Sequence, residues 1–126
     1  MNQLNLLAAW IGFLGGILTG AGMGLLFYKD NWLGGYSSWQ RRLVRLAHIS
    51  FFGLGFINLG YSLTLPLLAN HVTSFWPGYL LIIAAITMPT VCYLAAWCKP
   101  MRHLFPLPVL SLALGLILFL NEGGLL

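Results

Sequence analysis

Two histidines and two arginines are the residues of this sequence best suited to hold a cofactor. Arg41, Arg45 and His48 follow one another at spacings of four and three, so on a helix they share one face. His103 belongs to a second basic segment. An imidazole ligates haem iron, and arginine pairs with an anionic group such as a haem propionate or a lipid phosphate. The pattern predicts a site for haem b, a quinone or an anionic lipid, with haem iron as the one metal it suggests.

The same residues also have a plainer interpretation. A neutral imidazole inside a helical bundle can simply hydrogen-bond a neighbouring helix, and His48 suits that role. Arg41 and Arg45 suit a lipid headgroup at the membrane surface as well as a cofactor. The four residues are therefore candidates for contacts with haem, quinone, lipid or another helix alike.

The sequence contains no combination of residues typical of a catalytic centre. It has no nucleophile with a base and an orienting acid, no glycine-rich phosphate loop and no cluster of metal ligands at ligand spacing. Cys92 and Cys98 lie six positions apart, which is not the Cys-x-x-Cys spacing of disulfide exchange. We therefore expect no catalytic residue and no enzyme activity.

The composition decides which elements position these side chains. Of the 126 residues, 60% are hydrophobic and 6% are charged, whereas a water-soluble domain has about 25% charged residues. Because a spanning helix needs about 20 apolar residues, four runs qualify: about 4–28, 43–69, 78–98 and 104–120. Short connections make successive helices antiparallel. The sequence predicts an all-α integral membrane protein, one domain over residues 1–126, with four transmembrane helices in an up-down bundle.

The second helix is expected to begin before the membrane. Ser37 and Gln40 have the spacing of a capping box, in which Ser37 is the N-cap of a helix that starts at Ser38. Asn5 and Thr19 are the polar residues that interrupt the first apolar run, and Asn58 is a polar group at membrane depth in the second helix.

The basic residues fall in two connections, at Lys29, Arg41, Arg42, Arg45, Lys99 and Arg102. Positive residues mark the cytoplasmic side of a membrane protein. The sequence therefore predicts a multi-pass protein of the bacterial inner membrane, with loops 29–42 and 99–103 in the cytoplasm and both termini on the non-cytoplasmic side. No basic stretch is long enough to indicate nucleic-acid binding.

Small residues recur every four positions along the first helix, at Ala8, Gly12, Gly16, Gly20 and Gly24. Such a stripe lets two helices approach closely in lipid, where no hydrophobic effect drives them together. The partner helix is expected either in this chain or in another subunit.

These features favour an accessory or structural subunit of a larger inner-membrane complex. It would pack through its glycine-rich faces, bind anionic lipid at its cytoplasmic side, and have membrane lipids and other membrane-protein subunits as partners. The alternative is a haem b- or quinone-binding redox protein that uses His48 and His103. A small channel or transporter is disfavoured, because the two acidic residues, Asp30 and Glu122, lie outside the predicted spans.

Overall fold

The fold of this protein is described by a computed structural model over residues 2–68, 71–72 and 74–125. Four α-helices make up most of it: α1 (Asn2–Leu26), α2 (Trp39–Thr64), α3 (Trp76–Trp97) and α4 (Pro106–Glu122). Three short 3₁₀ helices lie at Trp32–Gly34, Leu65–Leu68 and Lys99–Leu104, and the described residues contain no β-strand.

Each α-helix is long and apolar enough to cross a membrane, if α4 is taken together with the 3₁₀ helix that precedes it. The prediction of an all-helical chain with four potential spans is confirmed. The second helix, predicted to start at Ser38 ahead of its apolar run of 43–69, differs mainly at its C-terminal end. It begins at Trp39 and ends at Thr64, where a 3₁₀ helix continues the chain. Pro66 lies in that 3₁₀ helix and, having no N–H to donate, cannot extend the α-helical ladder.

The N-terminus of α2 is capped one residue later than the sequence predicted. The Ser38 side chain, not that of Ser37, accepts a 3.1 Å hydrogen bond from the backbone N–H of Arg41 and donates to the Leu33 carbonyl. The chain reaches Ser38 through a tight turn, in which Leu33 and Gly34 have φ angles of 53° and 84°. This turn, rather than the capping-box spacing, sets where the helix begins.

Helices that follow one another in the chain pack side by side, and α1 also makes a smaller contact with α3. One buried apolar cluster joins α1, α2 and the end of α3, at Met23, Leu43, Val44, Ala95 and Ala96. A second joins α2, α3 and α4, at Tyr61, Val72, Leu81 and Phe119. The Trp39 indole also donates a 2.8 Å hydrogen bond to the Ala95 carbonyl, which fixes the start of α2 against the end of α3.

Candidate functional site

Arg41 lies at the centre of the connection between α1 and α2. Its guanidinium carbon is 5.0 Å from the centre of the Phe27 ring and 5.5 Å from the centres of the Trp32 and Tyr36 rings. It also donates a long 3.4 Å hydrogen bond to the Asp30 carbonyl, and the residue is only 5% exposed. Aromatic faces attract a cation, so these contacts hold the loop together around Arg41.

Arg45 occupies a more accessible position one turn further along α2. Its guanidinium carbon lies 4.5 Å from the centre of the Tyr36 ring, and the side chain is half-buried. Tyr36 is 65% exposed and thus contacts two guanidinium groups at the edge of the fold. The predicted basic stripe therefore divides: Arg41 is enclosed by the loop, whereas Arg45 stays near the surface.

His48 is half-buried in the contact between α1 and α2. Its Nδ1 atom is 3.3 Å from the Thr19 hydroxyl, and its ring meets the Phe52 ring edge-on at 5.4 Å. A Cβ atom on Gly20 would come within 2.5 Å of His48 Cε1, so the imidazole fills the space that this glycine leaves. In this arrangement the ring serves helix packing.

His103 is exposed in the 3₁₀ helix Lys99–Leu104. That segment packs against α3 and α4, whereas the contacts of His48 described above involve α1 and Phe52 of α2. The two histidines thus belong to different packing environments. Over the described part of the chain, no group of three or more His, Cys, Asp or Glu residues is arranged to hold a metal ion.

The glycines in the middle of the α1 stripe face α2. A Cβ on Gly12 would lie 3.1 Å from the Phe51 carbonyl oxygen and 3.6 Å from the Gly55 Cα, so backbone meets backbone at this crossing. A Cβ on Gly16 would lie 2.5 Å from the Phe52 ring. Both glycines therefore contact a helix of the same chain.

The two ends of the α1 stripe, Ala8 and Gly24, differ from each other in exposure. Gly24 is exposed and has nothing within 4 Å of its Cβ position, while Ala8 is half-buried. The glycine face of α1 is thus partly used inside the chain and partly open.

An outward-facing stripe along α2, which we call the α2 outer face, was not predicted from the sequence. It comprises exposed residues at alternating spacings of three and four: Leu46, Ile49, Gly53, Phe56, Gly60 and Leu63 of α2, followed by Leu67 in the adjoining 3₁₀ helix. Gly53 and Gly60 have nothing within 4 Å of their Cβ positions. The heptad spacing was the signal in the sequence that would have identified this face.

A second missed feature is the meeting of two buried amides. Asn5 donates to the Asn58 side-chain oxygen at 2.8 Å and to the Gly78 carbonyl at 3.0 Å. Asn58 donates in turn to the carbonyls of Leu54 and Leu81, at 2.9 and 3.2 Å. Both asparagines are fully buried, so they join α1, α2 and α3 inside the fold.

The candidate residues thus separate into an enclosed arginine, a surface arginine, a packing histidine and an open helix face. Three of the five predicted small residues, Gly12, Gly16 and Gly20, contact α2. In comparison with known proteins, the chain matches no protein-family model, no curated protein and no solved structure.

Proposed function

We propose that this chain is a small accessory subunit of a larger assembly in the bacterial inner membrane, and that it binds a partner helix through the α2 outer face. The observation that carries the proposal is the exposed heptad stripe, which contains two glycines that no other part of the described chain covers. A heptad stripe keeps one face of a helix turned toward a partner over several turns.

The chemistry of the α2 outer face suits helix packing in lipid. Association there depends on close van der Waals contact, which small residues permit. Gly53 and Gly60 lie three and four positions from Phe56, so they leave notches on both sides of a 62% exposed aromatic ring. A partner helix would place its side chains in these notches and pack against the ring.

The proposal includes an up-down arrangement with both termini on the non-cytoplasmic side. It is supported by the contacts of α1 with α2, because Gly12 meets Gly55 and Gly20 meets His48. The residue numbers of the contacts increase along α1 while they decrease along α2, so the two helices run antiparallel. Loops 29–42 and 99–103 then lie on one side, where their basic residues favour the cytoplasm.

Affinity purification of the tagged full-length chain from membranes, followed by native electrophoresis, tests the docking role. Gly53→Leu and Gly60→Leu fill the notches and are expected to release the partner. Gly24→Leu is the matched control, since Gly24 is also exposed with open space at its Cβ position but lies on α1. Retention of the same partners by all three variants would reject the docking face.

The proposed subunit also binds anionic lipid at its cytoplasmic end, through Arg45. This residue keeps a half-buried guanidinium at the surface, next to the exposed Arg42. The haem alternative, with His48 and His103 as ligands, has less support because the His48 ring packs edge-on against Gly20 and Phe52. A Soret band in the absorption spectrum of the purified protein would reverse that preference.

A further inference from the structure

Two buried oxygen atoms beside the Asn5–Asn58 pair have no hydrogen-bond partner among the described residues: Asn5 Oδ1 and the Tyr61 hydroxyl. Asn5 is 0% and Tyr61 is 3% exposed, so both side chains are cut off from the surface. The Asn5 amide nitrogen is already engaged, since it donates to Asn58 and to the Gly78 carbonyl. Because a buried polar atom without a partner is costly, the two oxygens call for a further hydrogen-bonding group.

Both oxygens face the same point beside Gly78, in the first turn of α3. A Cβ atom on Gly78 would lie 2.9 Å from Asn5 Oδ1 and 3.2 Å from the Tyr61 hydroxyl oxygen. Because the residue is a glycine, no side-chain carbon separates the two oxygens. Asn5 reaches this point from α1 and Tyr61 from α2, yet the two oxygens are not hydrogen-bonded to each other. A small group bonded to both would therefore join three helices.

The oxygens that converge at Gly78 are uncharged, one from an amide and one from a phenol. The Tyr61 ring packs against Leu81 and meets the Phe119 ring edge-on at 5.0 Å. The Glu122 carboxylate, at the end of α4, is engaged elsewhere, since it accepts a 3.3 Å hydrogen bond from the backbone N–H of Ser74. The surroundings thus favour a small neutral ligand that both donates and accepts.

These requirements fit water better than a metal ion. A cation such as Ca²⁺ takes about six to eight oxygen ligands, whereas a buried water makes about two to four hydrogen bonds to polar groups that otherwise lack partners. We propose that one water molecule is bound beside Gly78, where it donates to Asn5 Oδ1 and accepts from the Tyr61 hydroxyl. This inference does not depend on docking through the α2 outer face, to which neither Asn5 nor Tyr61 belongs.

A crystal structure of the purified full-length chain, at a resolution that shows ordered water, tests the site directly. We expect one density peak at about 2.5–3.0 Å from both Asn5 Oδ1 and the Tyr61 hydroxyl oxygen. Crystals grown in rubidium chloride separate water from a monovalent cation, because rubidium gives an anomalous signal and water does not. An anomalous peak at the site, a direct bond between the two oxygens, or the lack of any peak would each overturn the proposal.

A matched pair of glycine variants tests whether the space beside Gly78 holds the water. Gly78→Ala places a methyl group against both oxygens and should remove the density peak and lower the melting temperature by several degrees. Gly22→Ala is the control, since Gly22 is an exposed helical glycine with nothing within 4 Å of its Cβ position. It should keep the peak and melt no lower than the native chain. A peak that persists in Gly78→Ala would reject the site.

The hydroxyl of Tyr61 provides a milder test in solution, which does not depend on the folding of Gly78→Ala. Tyr61→Phe keeps the ring and should lower the melting temperature by a few degrees, because it removes one of the two anchors of the water. In a chain that already carries Asn5→Leu, the same change should have a much smaller effect, since the other anchor is gone. Equal shifts in the two backgrounds would mean that no bound molecule couples Asn5 to Tyr61.

Discussion

Asn5 and Asn58 are joined by a 2.8 Å hydrogen bond between two side chains that are completely buried. Their positions in the chain are 53 residues apart. Because an unpaired amide buried away from water is costly, each asparagine makes the other tolerable inside the fold. The pair also contacts the Gly78 carbonyl, so three helices are held by one polar cluster.

Removal of one asparagine should lower the free energy of unfolding by more than the net contribution of the Asn5–Asn58 hydrogen bond. Asn58→Leu removes one of the two acceptors of the Asn5 amide, the other being the Gly78 carbonyl, and is expected to lower the free energy of unfolding by about 1–3 kcal/mol. The double variant Asn5→Leu/Asn58→Leu should lose less than the sum of the single variants, by about 1 kcal/mol. Unfolding titrations in mixed detergent micelles measure both quantities.

Thr64→Val is the control for this cycle, since Thr64 is less enclosed and its hydroxyl bonds only within its own helix, to the Gly60 carbonyl. It should change stability by no more than a few tenths of a kcal/mol. Strictly additive losses at the two asparagines would mean that their hydrogen bond contributes no stability.

The close crossing of α1 and α2 predicts a steep cost at Gly12. Gly12→Leu forces a side chain against the Phe51 carbonyl and the Gly55 backbone, which cannot rotate away. We expect a loss of about 1–3 kcal/mol in thermal or detergent unfolding. Gly24→Leu, in open space on the same helix, should unfold like the native chain. Equal stability of the two variants would exclude the crossing.

The native cysteines give a test of orientation without added reporters. Cys98 is exposed beside Lys99, whereas Cys92 is buried. A membrane-impermeant maleimide should therefore label Cys98 in inside-out vesicles and not in spheroplasts. A Cys98→Ser variant should show no labelling from either side. Labelling of Cys98 in intact spheroplasts would place the loop 99–103 outside the cytoplasm.

Anionic lipid should distinguish Arg45 from its neighbour Arg42. Arg45→Gln is expected to reduce the phosphatidylglycerol retained through purification, as measured by mass spectrometry. The reason is that the exposed Tyr36 ring, which also contacts Arg41, holds the Arg45 guanidinium near the surface, where a phosphate can reach it. Arg42→Gln removes the same charge from an exposed position and should retain the lipid. Equal retention of phosphatidylglycerol in both variants would mean that the arginines orient the chain and do not bind lipid.

The helices of this fold can be predicted from the composition and the apolar runs of the sequence, whereas the contacts between the helices cannot. A low charge content and four long apolar runs are enough to predict four helices. The sequence also marks Asn5 and Asn58 as exceptional, because polar side chains are rare at that depth. It cannot show that they meet, since pairing depends on how α1 and α2 are offset along each other.

The basic stripe shows the same distinction at the candidate site. Helical spacing correctly places Arg41 and Arg45 on neighbouring turns of α2. It does not foresee that Phe27, Trp32 and Tyr36 fold over Arg41, because the path of the connecting loop depends on the positive φ angles at its turn.

The enclosure of Arg41 separates two roles that a cation usually combines in a membrane protein. In the proposed membrane arrangement, Arg41 and Arg42 both belong to the six basic residues that orient the chain during insertion. In the folded chain Arg41 is only 5% exposed, and three aromatic rings surround its guanidinium. Arg41 therefore keeps its charge but offers little surface for direct contact with a phosphate, a role that the proposed function gives to Arg45.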